Sequence, residues 1–111
     1  MKIAIIQATT QIDKNKLLFQ TTQQAAGDEN QVINFGVFDK NPQLSYVQVS
    51  LLVGLLLNTK AVDYVITGCS SGNGMAIACN SFPNVICGYL PTPSDAYLLA
   101  VLIMVTVPLC R

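Results

Sequence analysis

The segment Thr67-Gly68-Cys69-Ser70-Ser71-Gly72-Asn73-Gly74-Met75 concentrates the residue types able to do chemistry. An apolar run leads into it and a small-residue run leaves it, so it reads as strand, tight loop and helix start. Glycines let backbone N–H groups turn toward a ligand. A helix start adds unpaired amides and the positive end of the helix dipole. Such a loop suits an oxyanion or a phosphate. The same setting favours the ionised form of a thiol, which makes Cys69 a candidate base or nucleophile. The plain alternative is an ordinary strand-to-helix turn around a buried cysteine, since glycine-rich turns of this kind are common.

Sharper templates narrow the choice. A phosphate-binding P-loop ends in Gly-Lys-Ser/Thr, but Met75 follows Gly74. The dinucleotide fingerprint belongs after the first strand, where the chain has Ala8-Thr9-Thr10-Gln11. Gly68-Cys69-Ser70-Ser71-Gly72 fits the G-x-S-x-G elbow of serine hydrolases. That chemistry needs a histidine base, and the sequence contains none.

The loop must be positioned by the elements around it. Lys2–Ala8 reads as a buried strand, and Asp13–Ala26 as a helix with Leu17, Leu18 and Ala25 at helical spacing, stopped by Gly27 and Asp28. Gln31–Val37 is a second strand and Asp39–Pro42 a turn. Ser45 caps an apolar helix over Tyr46–Thr59. Val62–Thr67 is a third strand, Met75–Ser81 a helix, and Asn84–Tyr89 a fourth strand. Ser94 or Asp95 caps one more helix. Strands alternating with helices predict an α/β fold, a Rossmann-like three-layer α/β/α sandwich around a parallel sheet. Ligands in such sheets bind beyond the carboxyl ends of the strands, where Gly68–Gly74 lies.

Composition limits the partners. The 111 residues are 51% hydrophobic and carry six basic and six acidic side chains, a net charge of zero. No charge run points to nucleic acid or to an anionic membrane surface. The longest apolar run, Leu98–Leu109, is interrupted by Thr106 and Pro108 and falls short of the roughly 18–20 residues that span a bilayer. Cys69, Cys79, Cys87 and Cys110 match no zinc spacing, so no metal is expected. Nothing at the start reads as a signal peptide. The cysteines then read as reduced thiols and the chain as cytoplasmic. Cys79 and Cys87 read as small buried hydrophobes. Tyr46 and Tyr97 are expected to be partly buried.

The stretch from Gly68 to Phe82 (GCSSGNGMAIACNSF) resembles the active-site segment of the ribose/galactose isomerase family, which includes ribose-5-phosphate isomerase B and galactose-6-phosphate isomerase. In that family a cysteine opens the loop, followed by a Gly-Thr-Gly-x-Gly turn, a small-residue helix and an asparagine. The likeness runs over roughly Val62–Ala100 and extends to Val32–Gly36, to Ser45-Tyr46 and to the opening Met1–Ile5. It implies aldose–ketose isomerisation of a phosphorylated sugar, a pentose or hexose phosphate, through an enediolate. By match Cys69 is the base, and Ser71 stands at the family's threonine and bonds the substrate. Ser70, Gly72, Asn73 and Gly74 supply backbone amides to the enediolate oxygens, as an oxyanion hole does. Asn80 bonds the loop or the substrate. The resemblance further implies no cofactor and a dimer, with a second copy or a related subunit completing each site.

The chain departs from the family in three places. Ala8-Thr9 stands where the family has Asp-His. The histidine of the helix after the fourth strand is absent, and so are the C-terminal arginines that grip phosphate. Two alternatives therefore stay open: a non-catalytic subunit that binds a sugar phosphate or another anion, and a thiol-dependent hydrolase or transferase. The end of the chain suggests a further expectation. Residues 1–100 read as an incomplete isomerase-like domain with four strands and the fifth missing, and residues 101–111 as a frame-shifted tail. Read from the third codon base, the junction of Met104 and Val105 must encode glycine. The codons around it permit Ile-Asn-Asn-Gly-Asn, the turn the family has there. The alternative is a genuine apolar helix end or strand.

Overall fold

Ile3, Ala4, Ile5 and Ile6 are consecutive and all buried. Successive strand side chains point to opposite faces, so such a run needs a strand covered on both sides. The computed structural model, which describes residues 1–106, places it as the central strand β1 (Lys2–Gln7). β2 (Gln31–Gly36) and β3 (Tyr64–Gly68) flank it in the order β2-β1-β3, both parallel to it. The helices are α1 (Asn15–Ala26), α2 (Tyr46–Asn58), α3 (Asn73–Asn80) and α4 (Pro93–Thr106).

Alternation along β1 sorts the layers. Ala4, Ile6 and Ala8 join Val49, Val53 and Leu57 of α2, Met75 and Cys79 of α3, and Val65 of β3 in one core. Ile3, Ile5 and Gln7 have the other parity and face the α1 layer, where Asn15 bonds Gln7. The α/β sandwich with a parallel sheet expected from the sequence is therefore present. Local signals explain the ends of its helices. Ser45 and Gln48 form a reciprocal capping box at the start of α2, and Gly27 closes α1 with φ of 71°.

Two expectations need correction. The predicted fourth strand, Asn84–Tyr89, is not in the sheet, which has three strands among the described residues. Asn84 adopts a left-handed φ of 60°, which breaks the extended run. The Asn80 amide then takes both backbone groups of Cys87. Its Nδ2 donates to Cys87 O at 2.7 Å, and Cys87 N donates to its Oδ1 at 2.9 Å. A side chain thus satisfies what a strand ladder would have satisfied. The second correction concerns Asp13–Ala26. Residues Thr9–Lys14 form two 3-10 turns across a kink at Gln11, and α1 begins only at Asn15. Thr9 ties these turns to the loop before α2: its N–H donates to Leu44 O, and its Oγ1 accepts from Leu44 N at 2.7 Å. Of the expected frame-shifted tail, residues 101–106 continue α4, and residues 107–111 lie outside the described residues.

Candidate functional site

β3 ends at Gly68 on the carboxyl edge of the sheet, and α3 begins at Asn73. Only Cys69–Gly72 are left to turn the chain back. Gly72 makes that turn with φ of 79°. A Cβ there would run into the ring of Tyr89, so the position combines a backbone demand with a close approach. Two residues on, a Cβ at Gly74 would come within 3.2 Å of the Tyr46 ring. α3 therefore starts close against the first residue of α2.

The turn folds back on the thiol. Gly72 N donates to Cys69 Sγ at 3.3 Å. A backbone donor thus points at the sulfur from the residue that opens α3, where the helix contributes its positive end. Cys69 is half-buried, whereas Ser70 and Ser71 are exposed.

A cavity of about 460 Å³ opens beside this loop. Residues 64–68 of β3 and the loop Cys69–Gly72 form one wall, Cys87–Leu90 with Leu99 of α4 form another, and Gln11, Lys14 and Leu18 form a third. The cavity occupies the ground between β3 and the segment that does not join the sheet. Thr67 lines it, and the buried Thr67 Oγ1 makes no hydrogen bond among the described residues. Among the described residues that line it, Lys14 is the only charged one.

The structure thus brings together Cys69, Ser70, Ser71 and Gly72 at one cavity. Asn73 and Gly74 lie in the first turn of α3, outside the cavity wall. Asn80 is at the far end of α3. Its Nδ2 also donates to Ala76 O at 2.8 Å, so its amide braces the backbone on both sides and does not reach the cavity. Cys79 is fully buried beneath the site. A hydrogen bond with Cys87, then burial, push its thiol far above the ordinary range. It stays a neutral thiol. Cys87, in contrast, lines the cavity with Cys69. No group of side chains able to hold a metal ion occurs among the described residues.

Sequence reasoning missed Gln11, Lys14 and Tyr89. A signal for the first two was present. In a parallel sheet the segment after β1 leaves from the same edge as the loop after β3, so the two must be neighbours. Tyr89 gave no such signal, because it reaches the site from a segment that reads as a strand.

Comparison with known proteins agrees with this architecture. A family model described as Ribose/Galactose Isomerase matches residues 3–102. A solved 4-deoxy-L-threo-5-hexosulose-uronate ketol-isomerase, in complex with a tartrate, is 46% identical with a TM-score of 0.82, covering 90% of this chain and 48% of that one. A ribose-5-phosphate isomerase of Vibrio parahaemolyticus is 39% identical with a TM-score of 0.79, covering 89% and 48%. A type B ribose 5-phosphate isomerase of Trypanosoma cruzi is 25% identical with a TM-score of 0.71, covering 79% and 57%. The chain spans about half the length of the first two of these proteins. No curated protein matches it.

Proposed function

The chain belongs to the ribose/galactose isomerase family, and from that premise we propose that its site interconverts an aldose and a ketose with Cys69 as the base. The observation that carries the reading is the half-buried Cys69 thiol at a cavity wall, held by the Gly72 amide at the start of α3. The Cys69 thiolate takes the proton from the carbon next to the carbonyl. The electron pair moves into an enediolate, a proton passes from one of its oxygens to the other, and Cys69, its proton exchanging with water in between, protonates the neighbouring carbon. Charge develops on the enediolate oxygens, and in this reading amides of the Ser70–Gly74 turn meet it. The Ser71 hydroxyl binds the substrate. Asn73 and Gly74 contribute through the first turn of α3, and Asn80 acts by bracing the segment that carries Cys87 and Tyr89.

The substrate in this reading is a phosphorylated pentose or hexose. A sugar acid is the second reading, and a specific observation favours it. The 46%-identical relative is named for a hexosulose-uronate, which carries a carboxylate. A cytoplasmic setting and a homodimer, or pairing with a related subunit, belong to the same proposal. Val47, Leu51 and Leu55 recur at helical spacing on α2 and are about half exposed, an apolar stripe that a second copy would cover. No helix among the described residues is long and apolar enough to cross a membrane.

The test is an isomerisation assay on a ribose or galactose phosphate and on a hexuronate. Conversion of either, abolished in Cys69→Ala, supports the reading. Conversion that survives Cys69→Ala contradicts the assignment of the base.

A further inference from the structure

We infer that Lys14 is the residue that holds the anionic group of the substrate, and so decides that the site takes acidic or phosphorylated sugars over neutral ones. This rests on the sugar-binding reading of the cavity but not on Cys69 acting as a base. Three observations lead to it. Lys14 lies in the same cavity wall as Gln11, facing the cavity that the Cys69 loop closes on another side. Among the described residues no aspartate or glutamate lines that cavity, and Lys14 brings its one charged group. Lys14 also has no ion-pair partner among the described residues.

The backbone beneath Lys14 is fixed. Its neighbour Asn15 is buried, only 7% exposed, and donates through Nδ2 to Gln7 Oε1 and to Asn34 Oδ1. Asn34 Nδ2 returns a bond to Asn15 Oδ1 at 2.7 Å. Gln7 in turn donates to Val37 O. The start of α1 is thus tied to β1 and β2 at once, while the side chain of Lys14 is exposed. A fixed base with a long flexible stem suits a point charge that meets an anion without demanding one geometry. Gln11 adds a neutral amide beside it. The charged groups next to Lys14 in the chain, Asp13 and Lys16, are exposed and do not line the cavity. A sugar whose reacting carbons lie at Cys69 would carry its anionic end toward Lys14. Carboxylate and phosphate share this chemistry.

Titration calorimetry on the full chain tests this with inorganic phosphate, galacturonate and neutral galactose. Lys14→Gln should weaken binding of the preferred anion about tenfold and leave galactose unchanged. Lys16→Gln should bind as the parent does, and Lys14→Arg should restore most of the affinity. Galacturonate binding more tightly than phosphate identifies a sugar acid, and the reverse identifies a sugar phosphate. Equal binding by Lys14→Gln and Lys16→Gln overturns the inference. So does failure of the parent to bind either anion more tightly than galactose. A parent chain that shows Lys14-dependent anion binding but no isomerisation contradicts the isomerase reading and leaves the role of Lys14 standing.

Discussion

Two polar clusters lie at the carboxyl edge of the same sheet, and they use their hydrogen-bonding groups in opposite ways. At the ends of β1 and β2, the Gln7 and Asn34 amides each bond that of Asn15, and Gly36 N–H donates to Asn34 Oδ1. At the end of β3 and just beyond it, Cys69 is held by one backbone amide, Ser70 and Ser71 are exposed, and Thr67 Oγ1 has no partner among the described residues. The first cluster is hydrogen-bonded within itself, with Gln7 and Asn15 buried and Asn34 half-buried, which makes it a frame. The second keeps donors, a hydroxyl and a thiol turned to a cavity, which makes it a site. The contrast shows why richness in polar residues does not by itself mark function: what matters is which groups remain unspent after the fold has been held together.

If that division is right, breaking the frame costs stability and breaking the site costs binding. The largest effect on stability is expected from Asn15→Leu. It strands amide groups of the buried Gln7 and the half-buried Asn34 and should cost about 3 kcal/mol, measured by urea unfolding. A loss below about 1 kcal/mol would show that the amides are not a frame. Gly72→Val should come next, at about 2 kcal/mol, because it puts a β-branched side chain at a left-handed φ and against the Tyr89 ring. Anion binding should fall in the same variant, and intact binding would count against a cradle of loop amides. Asn80→Ala should cost about 1 kcal/mol and speed hydrogen exchange at the Cys87 amide. Unchanged exchange there would remove Asn80 as the brace of that segment.

The smallest effect separates the thiols. In the folded protein, alkylation near neutral pH should modify Cys69 and Cys87 well before Cys79, read by mass spectrometry of digests. Equal rates would contradict the burial and hydrogen bonding of Cys79. Because folding raises the Cys79 pKa, its contribution to stability is full below the ordinary thiol value of 9.0. That contribution falls as pH rises above this value, where the unfolded chain loses the proton first.

Much of this was legible in the sequence because the signals were local. Apolar runs marked β1 and β3, Ser45 marked the start of α2, and glycines marked the turn around Cys69. The fourth strand was misread because Val85-Ile86-Cys87 has the composition of a strand. What decides its state is non-local: a left-handed Asn84 and the Asn80 side chain that takes both Cys87 backbone groups. The amide frame was also invisible, since Gln7, Asn15 and Asn34 are far apart in the chain and amides usually lie at the surface. Lys14 has no partner in the local sequence pattern, and its place in the cavity wall is what gives it a role.

The central claim is that Cys69 moves a proton at a sugar carbon. Incubating the chain with its preferred anionic sugar in deuterium oxide and following the carbon-bound protons by NMR tests it directly. The account predicts deuterium at the carbon next to the carbonyl, with exchange slowed by two orders of magnitude or more, about 100-fold, in Cys69→Ala while the sugar still binds. Binding without exchange in the parent chain, or equal exchange in Cys69→Ala, would contradict it.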